Sequence, residues 1–240
     1  MIDIISVSDE EVTLKNRENK NYDLLIGCGD LSPGYMDYVN NEFKPSLSIM
    51  VHGNHDKKYF PEVYKEENEK YSDIYKGFLV LNKSLINLKR YIKKDINIMA
   101  FSGALSYGIK PFHISEKDTA KFKRDINIKM LLKRIKNIDI VATHNPPLIE
   151  NTIKKFDRYH IPSKNLGDMY KQIFPKLWLY GHIHRAYTIN QLDFKLKKEN
   201  MISYMINSVP YQKIKYDEEK KIILEIKRLK ATKTKEIVLK

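Results

Sequence analysis

The sequence predicts an α/β fold in which short buried strands alternate with helices. Three apolar segments come early in the chain, at 2–7, 23–26 and 47–51, and polar groups follow each of them closely. Strands joined by short helices are typical of a parallel sheet. In such sheets ligands bind outside the carboxyl ends of the strands. We therefore expect a polar site along one edge of the sheet.

The other elements follow from the spacing of apolar residues. A short helix is predicted from Gly34 to the approach of Pro45. Residues 116–136, with apolar side chains at helical spacing among Lys and Arg, predict the longest helix. A further short helix is predicted at 167–174, after a long loop. Further strands are predicted at 78–81, 84–88, 96–101, 138–142, 177–180, 186–192, 202–207 and 221–228, and we expect the last three to complete a second sheet.

The length and cysteine content limit the class of protein. A chain of 240 residues suits one domain, so we expect a single domain over 1–240, with 229–240 as a last strand or a loose tail. Cys28 is the single cysteine, which favours a reducing compartment. No apolar run approaches the roughly 18–20 residues of a membrane span. We therefore predict a cytoplasmic protein with no membrane partner.

The net charge of +13 leaves nucleic acid open as a partner. Lysine is dispersed along the whole chain instead of being gathered in one block, which favours solvated surface lysines as the explanation. The charge alone therefore does not identify a nucleic-acid protein.

Polar groups with metal-ligand chemistry follow five of the predicted strands. They are Asp9, Asp30, the pair Asn54-His55, His144, and the pair His182 and His184. Each has an ordinary structural alternative, such as a turn, a cap or a cross-strand polar pair. Together, carboxylate, amide and imidazole groups at one sheet edge suit two divalent transition ions, which a shared carboxylate can bridge about 3.5–4 Å apart.

These motifs, in this order, resemble those of the calcineurin-like metallophosphoesterases, in their small bacterial form without a cap. The resemblance extends over residues 2–207. It rests on Asp9-Glu10-Glu11, Gly29-Asp30, Gly53-Asn54-His55-Asp56, His144 and Gly181-His182-Ile183-His184. It implies two stacked mixed sheets flanked by helices, a four-layer α/β/β/α sandwich.

The resemblance also implies a role for each residue. Asp9 and His184 would hold a first ion, and Asp30 would bridge. A second ion would be held by Asn54, His144 and His182. Catalysis would involve His55, which with Asn54 would bind the substrate phosphate, and Asp56, which would orient His55. We expect Mn²⁺, with Fe, Zn, Ni and Mg as alternatives.

The implied function is hydrolysis of a phosphomonoester or phosphodiester, in a phosphorylated small molecule or a nucleotide. The two ions would lower the pKa of a bridging water, and the resulting hydroxide would attack phosphorus with help from His55. Two alternatives stay open. One is a non-catalytic or single-metal scaffold on the same fold, and the other is a nuclease that uses the basic surface.

One residue departs from the family pattern. The first motif of the family has His two residues after its Asp, whereas this chain has Glu11. Glu11 could replace the imidazole as an oxygen ligand, which would favour a harder ion such as Mn²⁺. It could instead point away and leave the first site one ligand short, or mark a site that has become a binding module.

Several other polar residues have a structural interpretation that competes with a functional one. His160 precedes the last motif on a long loop and could line the substrate pocket, although a surface position is the more ordinary expectation. A structural role is expected for His52 and His113. Asn207 ends a predicted strand and could lie near the site. Arg185 follows the last motif and could meet a phosphate, with a surface position as an equal alternative.

Overall fold

A computed structural model describes residues 1–56, 74–75, 77–105, 112–132, 137–149, 159–184, 193–228 and 235–239. Its helices are α1 (Pro33–Phe43), α2 (Lys89–Ile92), α3 (Glu116–Leu131) and α4 (Lys164–Ile173). Among these residues, no helix has both the length and the apolar composition needed to cross a bilayer.

The first sheet has seven strands and a parallel centre. In spatial order they are β15 (Ile222–Arg228), β14 (Tyr211–Asp217), β1 (Ile2–Val7), β2 (Leu24–Gly27), β3 (Leu47–Met50), β5 (Phe78–Val80) and β4 (Ile74–Tyr75). Strands β1, β2, β3 and β5 are parallel. The strands β14, β15 and β4 add antiparallel edges.

The second sheet also has seven strands, and its centre is again parallel. The order is β16 (Lys235–Val238), β12 (Phe194–Lys198), β13 (Met201–Asn207), β11 (Leu177–Tyr180), β10 (Ile140–Thr143), β7 (Asn97–Phe101) and β6 (Ser84–Asn87). Strands β13, β11, β10 and β7 run parallel. A separate two-stranded ribbon joins β8 (Ala104–Leu105) to β9 (His113–Ile114).

The apolar core lies in three layers, because alternate residues of a strand face opposite sides of its sheet. Between the two sheets, Ile4 and Ile26 of the first sheet belong to the same cluster as Leu179 of the second. On the outer face of the first sheet, Ile5 clusters with Val39 of α1. On the outer face of the second sheet, one cluster joins side chains of α3 and α4 to the strands. These layers confirm the predicted sandwich of two mixed sheets flanked by helices.

The structure corrects several predicted elements. Helix α4 begins at Lys164, three residues before the predicted start, because the side chain of Ser163 caps its first turn by accepting the Leu166 N–H at 3.2 Å. Strand 222–228 lies in the first sheet, not the second, because β14 pairs with β1 and carries β15 with it. The strands β12 and β14 were not predicted. A strand prediction at 186–192 falls outside the described residues.

Candidate metal centre

The strand ends of both sheets meet at one edge, where hydrogen bonds join the two sheets. The backbone N–H of His182, after β11, donates to Oδ2 of Asp9, after β1, at 3.0 Å. The Nδ1–H of His144, after β10, donates to the carbonyl oxygen of Cys28, after β2, at 2.7 Å. The polar residues that follow separate strands in the sequence therefore lie together in space.

Two glycines allow this close approach. A Cβ atom at Gly53 would lie 2.1 Å from Oδ1 of Asp30, and one at Gly181 would lie 2.0 Å from Oγ of Ser8. Neither position has room for a side chain, so the motifs need glycine for steric reasons.

Three residues of the site have a left-handed backbone conformation. The φ angles are 60° at Asp9, 56° at Asp30 and 67° at His182. Non-glycine residues adopt this region rarely, and such residues cluster at functional sites where the surrounding structure holds them. Here the hydrogen bond from His182 N–H to Asp9 joins two of these residues directly.

Asp30, His144 and His182 form a compact group of potential ligands. One ligand atom from each lies within 4.8 Å of the others. In addition, Nε2 of His144 is 3.3 Å from Oδ2 of Asp30 and 3.1 Å from Oδ1 of Asn54. These distances place carboxylate, amide and imidazole groups around one point.

Backbone carbonyl groups fix the orientation of both imidazoles. Nδ1–H of His144 donates to Cys28, and Nε2–H of His182 donates to the carbonyl oxygen of Tyr159 at 2.9 Å. A metal-binding histidine typically donates its other ring nitrogen in this way. The arrangement directs Nε2 of His144 and Nδ1 of His182 into the group.

Asp9 and His184 form a second pair beside this group. Nε2 of His184 lies 3.2 Å from Oδ1 of Asp9. That oxygen is buried beside the imidazole, and the carboxylate raises the pKa of His184. A buried carboxylate needs a hydrogen-bond donor or a positive charge beside it, which a protonated imidazole or a metal ion held by the pair would supply.

The charges of the site favour a cation as well. Burial alone would raise the pKa of Asp30, but the His144 imidazole and the backbone N–H of His55 hold it well below its usual range. Burial would lower the pKa of His144, but the carboxylates of Asp30 and Asp9 outweigh burial and raise it to about 10. Burial and the His144 imidazole hold the pKa of His182 well below its ordinary value. The carboxylates thus favour positive charge at His144, whereas His182 is kept in the neutral form that a metal ligand requires.

Comparison with known proteins agrees with this geometry. The sequence model described as calcineurin-like phosphoesterase matches residues 8–186. The chain belongs to the calcineurin-like phosphoesterase family. Members of this family are generally metal-dependent hydrolases, which is consistent with the ligand group at the sheet edge. No curated protein sequence matches the chain.

One solved structure shows the same fold at low sequence identity. A crystal structure of TT1561 from Thermus thermophilus matches 95% of this chain and 99% of its own, with 11% identity and a TM-score of 0.54. Two further similarities are weaker. A putative 5′-nucleotidase from Staphylococcus aureus, in complex with α-ketoglutarate, has a TM-score of 0.49 and 11% identity over 94% of this chain and 52% of its own. The protein GAP50, the anchor in the inner membrane complex of Plasmodium, has a TM-score of 0.43 and 12% identity over 98% of this chain and 90% of its own.

In the third family motif, Gly53-Asn54-His55-Asp56, the last two residues have different surroundings. His55 is exposed at the rim, and its backbone N–H donates to Oδ1 of Asp30 at 2.8 Å. Asp56 is buried, and its Oδ2 accepts the backbone N–H groups of Gly53 at 2.7 Å and Asp30 at 3.2 Å. The same oxygen lies 3.5 Å from Nδ1 of His52. The described contacts of Asp56 are therefore with the backbone that carries the motifs and with the imidazole of His52, and its orientation of His55 stays a prediction.

Glu11 lies on the exposed surface, at the start of α1. Its Oε1 accepts the backbone N–H of Ser32 at 2.7 Å, and Ser32 is the N-cap of that helix. Of the three sequence interpretations, this contact fits the one in which Glu11 points away from the metals.

Two residues outside the predicted ligand set adjoin the site. The ring of His160 lies 4.9 Å from that of His182 and 6.0 Å from that of His184, measured between centroids. Nδ2 of Asn207 donates to the carbonyl oxygen of Ile183 at 2.8 Å, between the two motif histidines. Neither position could be located from spacing along the chain, since the loop and strand that carry them are distant in sequence from their partners. Arg185 lies outside the described residues.

Proposed function

We propose that this protein is a phosphoesterase that uses two divalent metal ions, most suitably Mn²⁺, to hydrolyse a phosphomonoester or phosphodiester. The observation that carries the proposal is the meeting of two carboxylates, one amide and three imidazoles at a single sheet edge. The buried Oδ1 of Asp9, beside the imidazole of His184, supports a position for positive charge within that set.

The residues divide into two ligand sets around Asp30. Asp9 and His184 would hold the first ion. The second ion would be held by Asn54, His144 and His182, and the carboxylate of Asp30 would be shared. Bound ions of this kind act as Lewis acids and lower the pKa of a water molecule toward neutrality. The mixture of oxygen and nitrogen donors suits Mn²⁺ and also Fe, Zn or Ni.

His55 would act on the substrate and not on the metals. Its exposed imidazole stands at the rim, while its backbone N–H is anchored on Asp30. From there the ring can donate a hydrogen bond to a phosphoryl oxygen or a proton to the leaving oxygen, which is typically worth about 10²–10⁴-fold in rate. Asp56 would support catalysis indirectly, by fixing the peptide groups of Gly53 and Asp30.

The test is a Mn²⁺ titration in the presence of a chromogenic phosphodiester, followed for wild type and His55→Ala. We expect hydrolysis that depends on Mn²⁺, and a loss of about 10²–10⁴-fold in kcat for His55→Ala with unchanged Mn²⁺ content. Lys89→Ala, on α2 at the opposite end of the second sheet, is the control and should keep full activity. A protein that binds Mn²⁺ fully without turnover would support a non-catalytic scaffold instead.

The substrate class is proposed to be a phosphorylated small molecule or nucleotide, and the net charge of +13 supports a nuclease as the alternative. The two differ in their response to salt. Nucleic-acid binding releases counterions and weakens steeply as salt rises, so a nuclease that uses the basic surface should cleave single- or double-stranded nucleic acid more slowly at high salt. No cleavage, or a rate independent of salt, would argue against a nuclease that uses this surface. A cytoplasmic location stays a prediction.

A further inference from the structure

The two proposed metal sites have unequal numbers of protein ligands. With Asp30 shared, the second ion has four ligand residues, of which Asn54, His144 and His182 are its own. The first ion has only Asp9 and His184 besides Asp30. Protein sites for zinc and similar ions commonly supply three or four ligands. The contact of Glu11 with Ser32 N–H directs that carboxylate elsewhere.

One further imidazole lies beside the two histidines of the last motif. His160 is half-buried, and its ring centroid is 4.9 Å from that of His182 and 6.0 Å from that of His184. For comparison, His144 and His182, two proposed ligands of one ion, have ring centroids 5.0 Å apart. Imidazole nitrogens lie about 2.0–2.1 Å from a metal such as zinc, so two rings on one ion have centroids roughly 4.5–5.5 Å apart.

The backbone on both sides of His160 is anchored, so its position near the site is not that of a free loop. The preceding carbonyl, of Tyr159, accepts the Nε2–H of His182 at 2.9 Å. Three residues later, Ser163 exchanges backbone hydrogen bonds with the segment after His144. Its N–H donates to Pro146 at 2.9 Å, and its carbonyl accepts from Leu148 at 2.8 Å.

We propose that His160 is a ligand of the metal pair, supplied by the loop before α4 instead of by a strand end. Its ring lies near the histidines of both proposed ions, and the ion held by Asp9 and His184 has the smaller number of ligands. This inference rests on the proposed two-metal centre, and it extends the ligand set beyond the family motifs of this chain.

The test measures Mn²⁺ stoichiometry and affinity by equilibrium dialysis, with no substrate present. His160→Phe keeps a flat ring against His182 and His184 but removes both nitrogen donors. We expect wild type to bind two ions. His160→Phe should lower the affinity for one ion by about 10–100-fold or more, since loss of a residue that only supports a ligand already costs about that much. His160→Asp, which restores an oxygen donor, should recover part of that affinity. Ile161→Ala, an exposed neighbour on the same segment, should bind as wild type does.

A crystal grown with Mn²⁺ gives an independent measurement, because anomalous scattering locates the ions directly. We expect a nitrogen atom of His160 about 2 Å from an ion. Two ions at wild-type affinity in His160→Phe, or His160 out of contact with both ions in the crystal, would overturn the inference. An altered KM with unchanged metal binding would also overturn it and would assign His160 to the substrate.

These outcomes separate the inference from the proposed function. If wild type binds two ions through His160 but hydrolyses no phosphoester, the function fails and the ligand assignment stands. If hydrolysis requires Mn²⁺ but His160→Phe binds both ions normally, the function stands and the ligand assignment fails. Unfolding temperatures of the metal-free variants exclude a change of fold as the cause of any loss.

Discussion

Asp56 shows how a motif residue can act through the backbone. Its carboxylate is buried and accepts two peptide N–H groups, those of Gly53 and Asp30. Sequence identified the residue, because the motif that contains it follows a strand, but it could not show which way the side chain turns. The left-handed φ angles of Asp9 and Asp30 were equally invisible in the sequence, since residue type alone does not report backbone strain.

Asp56→Ala should destabilise the protein as well as the metal centre. It leaves two buried N–H groups without an acceptor, and each costs about 1–3 kcal/mol. We therefore expect the free energy of unfolding, measured by urea denaturation without metal, to fall by about 2–5 kcal/mol. Asp125→Ala, on the exposed face of α3, should change it by less than about 0.5 kcal/mol. A comparably small change in Asp56→Ala would contradict the proposed role.

Gly53→Ala should disturb the metal centre specifically. The added Cβ would meet Oδ1 of Asp30 at 2.1 Å, so the shared carboxylate must move. We expect reduced Mn²⁺ occupancy, measured by elemental analysis after dialysis. Gly34→Ala is the matched control, because its Cβ would contact nothing within 4 Å. Because Gly34 lies in helix α1, Gly34→Ala should leave the Mn²⁺ occupancy unchanged and raise the free energy of unfolding by up to about 1 kcal/mol. Equal occupancy in both variants would show that Asp30 does not hold the ion.

At the scale of elements, the start of α4 depends on a residue from α3. The carboxylate of Glu116 accepts the backbone N–H groups of Lys164 at 2.6 Å and Asn165 at 3.2 Å. This contact ties together the two helices that cover the second sheet. The sequence predicted both helices but placed the start of α4 too late, because the prediction did not use the local N-cap Ser163; the additional contact with Glu116 comes from a distant part of the chain.

The contribution of Glu116 should depend on pH. Burial would raise the pKa of Glu116, but the N–H groups of Lys164 and Asn165 outweigh burial and hold it below its ordinary value. A lowered pKa means that the contact stabilises the fold above the ordinary Glu pKa of 4.5 and loses this effect as pH falls below it. We expect Glu116→Gln to cost about 1–2 kcal/mol at pH 7 and less in acid, measured by urea unfolding at several pH values. Glu219→Gln, an exposed carboxylate, should show no such pH dependence. A constant cost for Glu116→Gln across pH would contradict the assignment.

For the whole molecule, the site is predictable in outline because parallel strands place their carboxyl ends together. The polar groups at those ends, such as Asp30 and His144, could be named from the sequence alone. The sequence did not show which of the two sheets each later strand joins. In β14, Lys213 and Lys215 alternate with buried residues, so the segment lacks the continuous apolar run that identified the central strands. The pairing of β14 with β1 joins distant parts of the chain, so local sequence patterns do not predict it.

Metal ions should stabilise the whole fold, because the proposed ligands come from both sheets and only the folded chain brings them together. At 100-fold excess over Kd, one ion contributes about 2.7 kcal/mol. For a chain of this size that corresponds to a rise in Tm of about 5–11 °C per ion. Differential scanning fluorimetry with Mn²⁺ and then with a chelator measures the shift. Asp30→Asn should abolish most of it, and an equal shift in this variant would place the stabilising ions elsewhere.

The pairing of β1 with β14 also affects how the chain is made. During synthesis β1 leaves the ribosome early, but the strand that covers its open side, Tyr211–Asp217, follows only after most of the chain has been translated. Until then the β-branched residues of β1 stay beside an uncovered sheet edge, a surface on which nascent chains aggregate. The first sheet is therefore completed only by the β14–β15 hairpin, and we expect truncation before Tyr211 to yield insoluble chains although every motif of the proposed centre is already present.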